Sequence, residues 1–134
     1  MSDKTVISTE HAPSPAPMFS QGVRKGGFLQ VAGQGAVDPV TGKYVGIGDV
    51  AIQTRRVLDN IHAILVAGGA TLDDVLMFRV YLTTRADFPD MNAAYAAWLH
   101  EHLPSGAYPA RTTVFVDLPS EDMLVEIDAL AVPD

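Results

Sequence analysis

Cysteine is absent from the 134 residues, which excludes disulfides, thiolate nucleophiles and sulfur-ligated metals together, and says nothing about compartment. Basic residues are scarce, with 9 Lys+Arg against 16 Asp+Glu, a net charge of −7 and a pI near 4.8. Such a surface repels polyanions and anionic bilayers, so neither nucleic acid nor membrane is an expected partner. No run of 18 apolar residues occurs, and the polar stretch 1–10 has no apolar segment behind a basic cluster. A membrane span and a secretory signal are therefore not expected, and a cytoplasmic location follows by default. The familiar catalytic signatures are missing too: no GxGxxG, GxxxxGK[ST], HExxH or GxSxG is present. The glycines Gly33 and Gly35 lead into Ala36-Val37-Asp38-Pro39, a turn rather than a phosphate-binding helix. His100 and His102 stand about 200° apart around a helix and cannot share one metal.

What remains is 48% apolar sequence with only 19% charged residues, against a usual quarter or so. One domain over residues 1–134 is expected, and the apolar surplus points to cover by a partner subunit. Strands are expected near residues 5–8, 19–24 and 28–32, the last two turning on Lys25-Gly26-Gly27. Val50, Val57, Leu58, Ile61 and Leu65 hold one face of a helix capped by Asp49 and stopped by Gly68-Gly69. Along 75–83 the alternation predicts a strand with Leu76, Phe78, Val80 and Leu82 in the core. A second helix begins at Asp87, with Pro89 in its first turn and Met91, Tyr95, Trp98 or Leu99, and Leu103 on its apolar face. Arg55, Arg56 and His62 read as a solvated face.

Strands at 111–117 and 123–132 are expected to pair as a hairpin across the short turn 118–122. Alternation then places Thr112, Val114 and Val116 with Met123, Val125, Ile127 and Ala129 against the helices. Arg111, Thr113, Phe115 and Asp117 share the uncovered face with Leu124, Glu126, Asp128 and Leu130. Two readings stand for that face. It is a solvated surface with an ordinary ion pair worth about 0 to 1 kcal/mol, or subunits cover it and the buried Arg and Glu need a ligand. In the second reading the Arg111 fork suits a carboxylate, and Glu126 can hold or deprotonate a water.

Five segments carry a recognisable pattern: Phe19-Ser20-Gln21-Gly22-Val23, Val31-Ala32-Gly33-Gln34, Thr54-Arg55-Arg56-Val57-Leu58-Asp59-Asn60-Ile61, Pro109-Ala110-Arg111-Thr112-Thr113-Val114 and Val125-Glu126-Ile127-Asp128-Ala129. In order and spacing they resemble the reactive intermediate/imine deaminase (Rid, YjgF) family. The resemblance implies a chorismate-mutase-like (bacillary) α+β fold, a mixed sheet covered on one face by two helices. It also implies a homotrimer with a central barrel and ligand sites between subunits. The implied activity is hydrolysis of 2-imino and 2-enamino acids of the 2-aminoacrylate type, reactive by-products of pyridoxal-phosphate enzymes, to 2-oxo acids and ammonia, with no cofactor. Arg111 would grip the substrate carboxylate, Thr113 would add contacts to it, and Glu126 would position the attacking water. Phe19 and Gly33 would line the substrate site. The chain departs from the pattern where Phe19 replaces a common tyrosine, Thr113 a common cysteine, and Gly35 a larger apolar residue. A metabolite-sensing module without turnover is the alternative. The endoribonuclease label attached to the family conflicts with the acidic balance.

Overall fold

Two adjacent glycines decide where the first long strands turn. β2 (Gly22–Lys25) and β3 (Phe28–Gln34) pair antiparallel across Gly26-Gly27, whose φ values of 58° and 86° suit a tight hairpin turn that other residues enter only with strain. β1 (Thr5–Ile7) adds to the outer side of β2. β2 starts at Gly22 rather than Phe19. The buried Gln21 side chain accepts from the Thr9 N–H and donates to the carbonyls of Thr9, Ala12 and Pro13, tying the chain to the 9–13 segment just before the ladder begins. The computed structural model describes residues 3–134, so Met1 and Ser2 of the expected domain lie outside the described residues.

α1 (Val50–Ala67) opens where the Asp49 carboxylate accepts the Ile52 N–H and closes at Gly68. It buries Val50, Val57, Leu58, Ile61 and Leu65, the face its periodicity predicts. β4 (Val75–Leu82) leads into α2 (Phe88–His102), which carries Pro89 in its first turn and buries Met91, Tyr95, Trp98 and Leu99. β5 (Ala110–Phe115) and β6 (Val125–Ala131) complete one six-stranded sheet in the order β1-β2-β3-β6-β4-β5. Both helices contribute to the apolar core against one face of this mixed sheet.

The expected hairpin between β5 and β6 does not form. β4 lies between them, antiparallel to β6 and parallel to β5. A parallel pair needs a long crossover, and α2 supplies it between β4 and β5; the short 118–122 stretch only returns the chain to the sheet centre. This changes the faces. Phe78, Val80 and Leu82 pair with Ala129, Ile127 and Val125 on one side and with Arg111, Thr113 and Phe115 on the other. Arg111, Thr113 and Phe115 therefore stand on the helix-covered face, whereas Thr112 and Val114 stand on the helix-free face with Arg79, Tyr81, Glu126 and Asp128. Val114 and Val116 are 39% and 40% exposed rather than core. A second correction concerns Leu76, which is 52% exposed. The β4–β6 register shifts between Val75 and Met77, and this bulge reverses the alternation so that Val75 is buried instead.

Candidate functional site

Glu126 belongs to the helix-free face and borders a cavity of about 340 Å³ together with Phe19, Gly33, Gln34, Tyr44 and Met123. Gly33 sits where the β3–β6 register shifts between Val31 and Gln34, and a Cβ built on it would lie 2.6 Å from Glu126 Oε2. Glycine at this bulge is thus a close-approach requirement for the carboxylate. Burial, followed by the neighbouring Asp128 charge, pushes the Glu126 carboxyl above its ordinary pKa. Asp128, 8% exposed, accepts from Arg79 Nε and from the Tyr81 hydroxyl, each at 2.8 Å. Glu126 has no hydrogen bond or ion pair among the described residues. One acid on this face is therefore structurally engaged, and the other borders the cavity without a hydrogen-bond partner among the described residues.

Buried amides pin the loops around this cavity. Besides Gln21, Gln53 donates to the Gly46 and Asp122 carbonyls and accepts the Leu124 N–H, while Asn60 donates to the carbonyls of Gly35 and Val37. Arg56 in turn donates to Asn60 Oδ1, so it is part of the clamp rather than a solvated face residue. Gln53→Leu leaves three backbone groups without this partner and is expected to cost roughly 3 kcal/mol. Arg55→Ala, which removes an exposed 3.5 Å pair with Glu101, is expected to cost under about 1 kcal/mol. Urea denaturation of the two variants checks the contrast.

His62 also leaves the solvated class. It sits edge-on to Trp98 with ring centroids 5.9 Å apart, and burial, reinforced by His102, lowers its pKa. A lowered folded-state pKa means the native form resists a proton that the unfolded chain accepts. The stability this carries is present above the unfolded pKa near 6.5 and is lost as pH falls through the folded one. Between pH 7.5 and 5 the melting temperature is expected to fall, and to fall less in His62→Gln, as thermal scans at each pH would show. Trp98 itself is core, with its indole N–H donated to Asp59 at 2.9 Å.

Arg111 occupies the opposite face. It borders a cavity of about 620 Å³ with Asn92, Tyr95, His100, Tyr108 and Pro109. Its guanidinium lies 4.7 Å from the Tyr95 ring centroid and 5.8 Å from that of Phe88, and it makes no hydrogen bond or ion pair among the described residues. Two hydroxyls on this side, Tyr95 Oη and Thr113 Oγ1, are buried without a hydrogen-bond partner. Burial pushes the Tyr95 phenol up to about 12 despite the opposing pull of Arg111, so it stays protonated. Phe19, Gly33 and Glu126 thus share one cavity, and Arg111 and Thr113 lie together on the other side of the sheet. A single copy does not bring Arg111 and Glu126 together. Tyr44 and the place of Tyr95 beside the Arg111 cavity were not expected from the sequence. Gly35 is the trace of the first, since a Cβ there would lie 3.0 Å from Met123 Cε and 3.3 Å from the Tyr44 ring. Tyr95 was hidden by its helical spacing, which marks core. Among the described residues no group of three or more His, Asp or Glu is arranged to hold a metal, and no helix is long and apolar enough to cross a membrane.

Residues 9–133 match the family described as Endoribonuclease L-PSP. The chain belongs to this family, also called Rid or YjgF. The resemblance carried by the five sequence segments is thereby borne out. This Rid chain is 46% identical over 128 residues to a RutC family protein of Pyrococcus horikoshii, covering 96% of this chain and 97% of that one. It is 38% identical over 126 residues to the 2-iminobutanoate/2-iminopropanoate deaminase of Escherichia coli K12, covering 94% and 95%. Among solved structures, E. coli TdcF with bound serine matches the Rid fold seen here with a TM-score of 0.89 at 36% identity, covering 97% of this chain and 99% of that one.

Proposed function

We propose that the protein hydrolyses 2-imino acids and their 2-enamino tautomers to 2-oxo acids and ammonia, without a cofactor, at sites formed between copies of the chain. One observation carries the reading. The Arg111 fork and the Glu126 carboxyl both border cavities with no protein partner, yet on opposite faces of one sheet. A site using both must take Arg111 and Thr113 from the β5 edge of one copy, and Phe19, Gly33 and Glu126 from the next. Such a head-to-tail contact makes a ring when the rotation from copy to copy closes, and three copies with their helix-free faces inward would make the homotrimeric barrel. The exposed Val114, Phe115 and Val116 at that edge are the apolar surface such a contact would cover. The deaminase named among the relatives supports the same chemistry.

In this reading Arg111 holds the substrate carboxylate bidentately, helped by Thr113. Glu126 accepts a proton from water as its oxygen bonds to the imine carbon. The imine nitrogen takes that proton back from Glu126 to give the carbinolamine; Glu126 then takes the carbinolamine hydroxyl proton and passes it to the nitrogen as the C–N bond breaks, so that ammonia leaves and the 2-oxo acid remains. The imine carbon is already electrophilic, so positioning of water and substrate supplies most of the acceleration. A carboxyl with a raised pKa is the stronger base when ionised. Activity is accordingly expected to fall on the acid side through a midpoint above the ordinary glutamate value of 4.5, and that limb should disappear in Glu126→Gln along with most of the rate. The decisive test supplies 2-iminobutanoate from threonine with a pyridoxal-phosphate dehydratase and follows 2-oxobutanoate. No acceleration over the uncatalysed rate would sink the proposal. A second reading, metabolite sensing without turnover, is favoured by Phe19, which brings no hydroxyl to the Glu126 cavity; tight 2-oxobutanoate binding without imine hydrolysis would select it.

A further inference from the structure

Arg111 is held in an unusual way for an arginine on a covered sheet face. No acid touches it among the described residues, and no carbonyl accepts from it. Its contacts are aromatic: the Tyr95 ring at 4.7 Å and the Phe88 ring at 5.8 Å from the guanidinium carbon, both inside the range of cation–π attraction. Each ring is braced in turn. Tyr95 packs edge-on against Phe78, which is fully buried in the core, with centroids 5.9 Å apart. Phe88 rests on Phe115 with ring centroids 6.4 Å apart, and the Arg85 guanidinium lies over the Phe115 ring at 4.8 Å.

The chemistry of the guanidinium makes this arrangement selective. Its five N–H donors lie in the plane of the group, whereas aromatic rings engage its faces. An acidic holder would fill the fork and compete with an incoming carboxylate. Aromatic holders restrict the side chain and leave the fork open.

We propose that Tyr95 and Phe88 are positioning residues that aim the Arg111 fork at the substrate carboxylate through their ring faces. The proposal rests on the reading of Arg111 as the carboxylate anchor and goes beyond it by naming what orients that anchor. The Tyr95 hydroxyl bonds to no group among the described residues, Arg111 included, so it is the ring face that meets the guanidinium.

The test compares Tyr95→Phe, Tyr95→Leu, Phe88→Leu and Arg111→Ala in the dehydratase-coupled assay and in calorimetric binding of 2-oxobutanoate. Tyr95→Phe keeps KM within about twofold, while Tyr95→Leu and Phe88→Leu raise KM about tenfold with kcat nearly unchanged. The half-buried Phe88 keeps the comparison decisive if Tyr95→Leu does not fold. A spectroscopic readout separates aiming from general damage. The Arg111 Nε–H resonance, assigned by its loss in Arg111→Ala, moves away from its ring-shifted position in both Leu variants and stays in Tyr95→Phe. Wild-type KM and an unmoved resonance in both Leu variants would overturn the proposal, as would a loss confined to kcat. If Arg111→Ala loses binding while both Leu variants keep it, the aromatic cradle fails and the carboxylate anchor stands. If Arg111→Ala binds 2-oxobutanoate like the wild type, the anchor fails and takes the cradle's function with it.

Discussion

Arg111→Ala is expected to weaken 2-oxobutanoate binding by about 2 to 5 kcal/mol, at least some 30-fold in Kd, while leaving the melting temperature nearly unchanged. The asymmetry comes from what Arg111 touches. It has no ion pair or hydrogen bond whose loss would unsettle the fold, only the faces of Tyr95 and Phe88. Its donors are therefore left open beside the cavity. Arg111→Lys should rescue little, because an ammonium is a point charge that cannot match two carboxylate oxygens in one plane. Calorimetric titration measures the loss directly, and a Kd within threefold of wild type in Arg111→Ala would refute the anchoring role.

Mixing two dead variants should restore activity. Arg111→Ala and Glu126→Gln each remove one half of the site proposed to lie between two copies, the two residues standing on opposite faces of one sheet. In a ring assembled at random from equal amounts, a complete site needs an Arg111-bearing copy followed by a Glu126-bearing one. Each condition is met half the time, so about one quarter of the wild-type activity returns. Co-refolding followed by the coupled assay reads this out. Were both residues contributed by one chain, the mixture would stay as inactive as its parts.

Much of the local structure could be read from the residues. Gly26-Gly27 marked the β2–β3 turn, Asp49 and Gly68 bounded α1, and the β6 alternation correctly put Val125, Ile127 and Ala129 inward with Glu126 and Asp128 on the helix-free face. The five family segments were legible as well. The Arg111 face was not, because it depends on which strand β5 pairs with, a long-range choice that local pattern does not encode. Nearness in the chain favoured β6, while the α2 crossover made β4 the partner. The bulge at Leu76 was likewise invisible, since an extra residue shifts the two-residue period without altering composition, whereas a glycine beside a strand marks the one at Gly33. The buried amides Gln21, Gln53 and Asn60 escaped for a related reason: their partners are backbone groups of distant loops, which carry no side-chain signature.

The central place of β6 has a consequence for biosynthesis. It fills the slot between β3 and β4, yet it is made after both. Until it emerges from the ribosome, the nascent chain carries two bare strand edges flanking a gap, and the contacts that close it join residues about 100 positions apart, such as Val31 and Ala129. Sheet closure must therefore wait for late translation, and a stalled or shortened nascent chain is left as a template for aggregation.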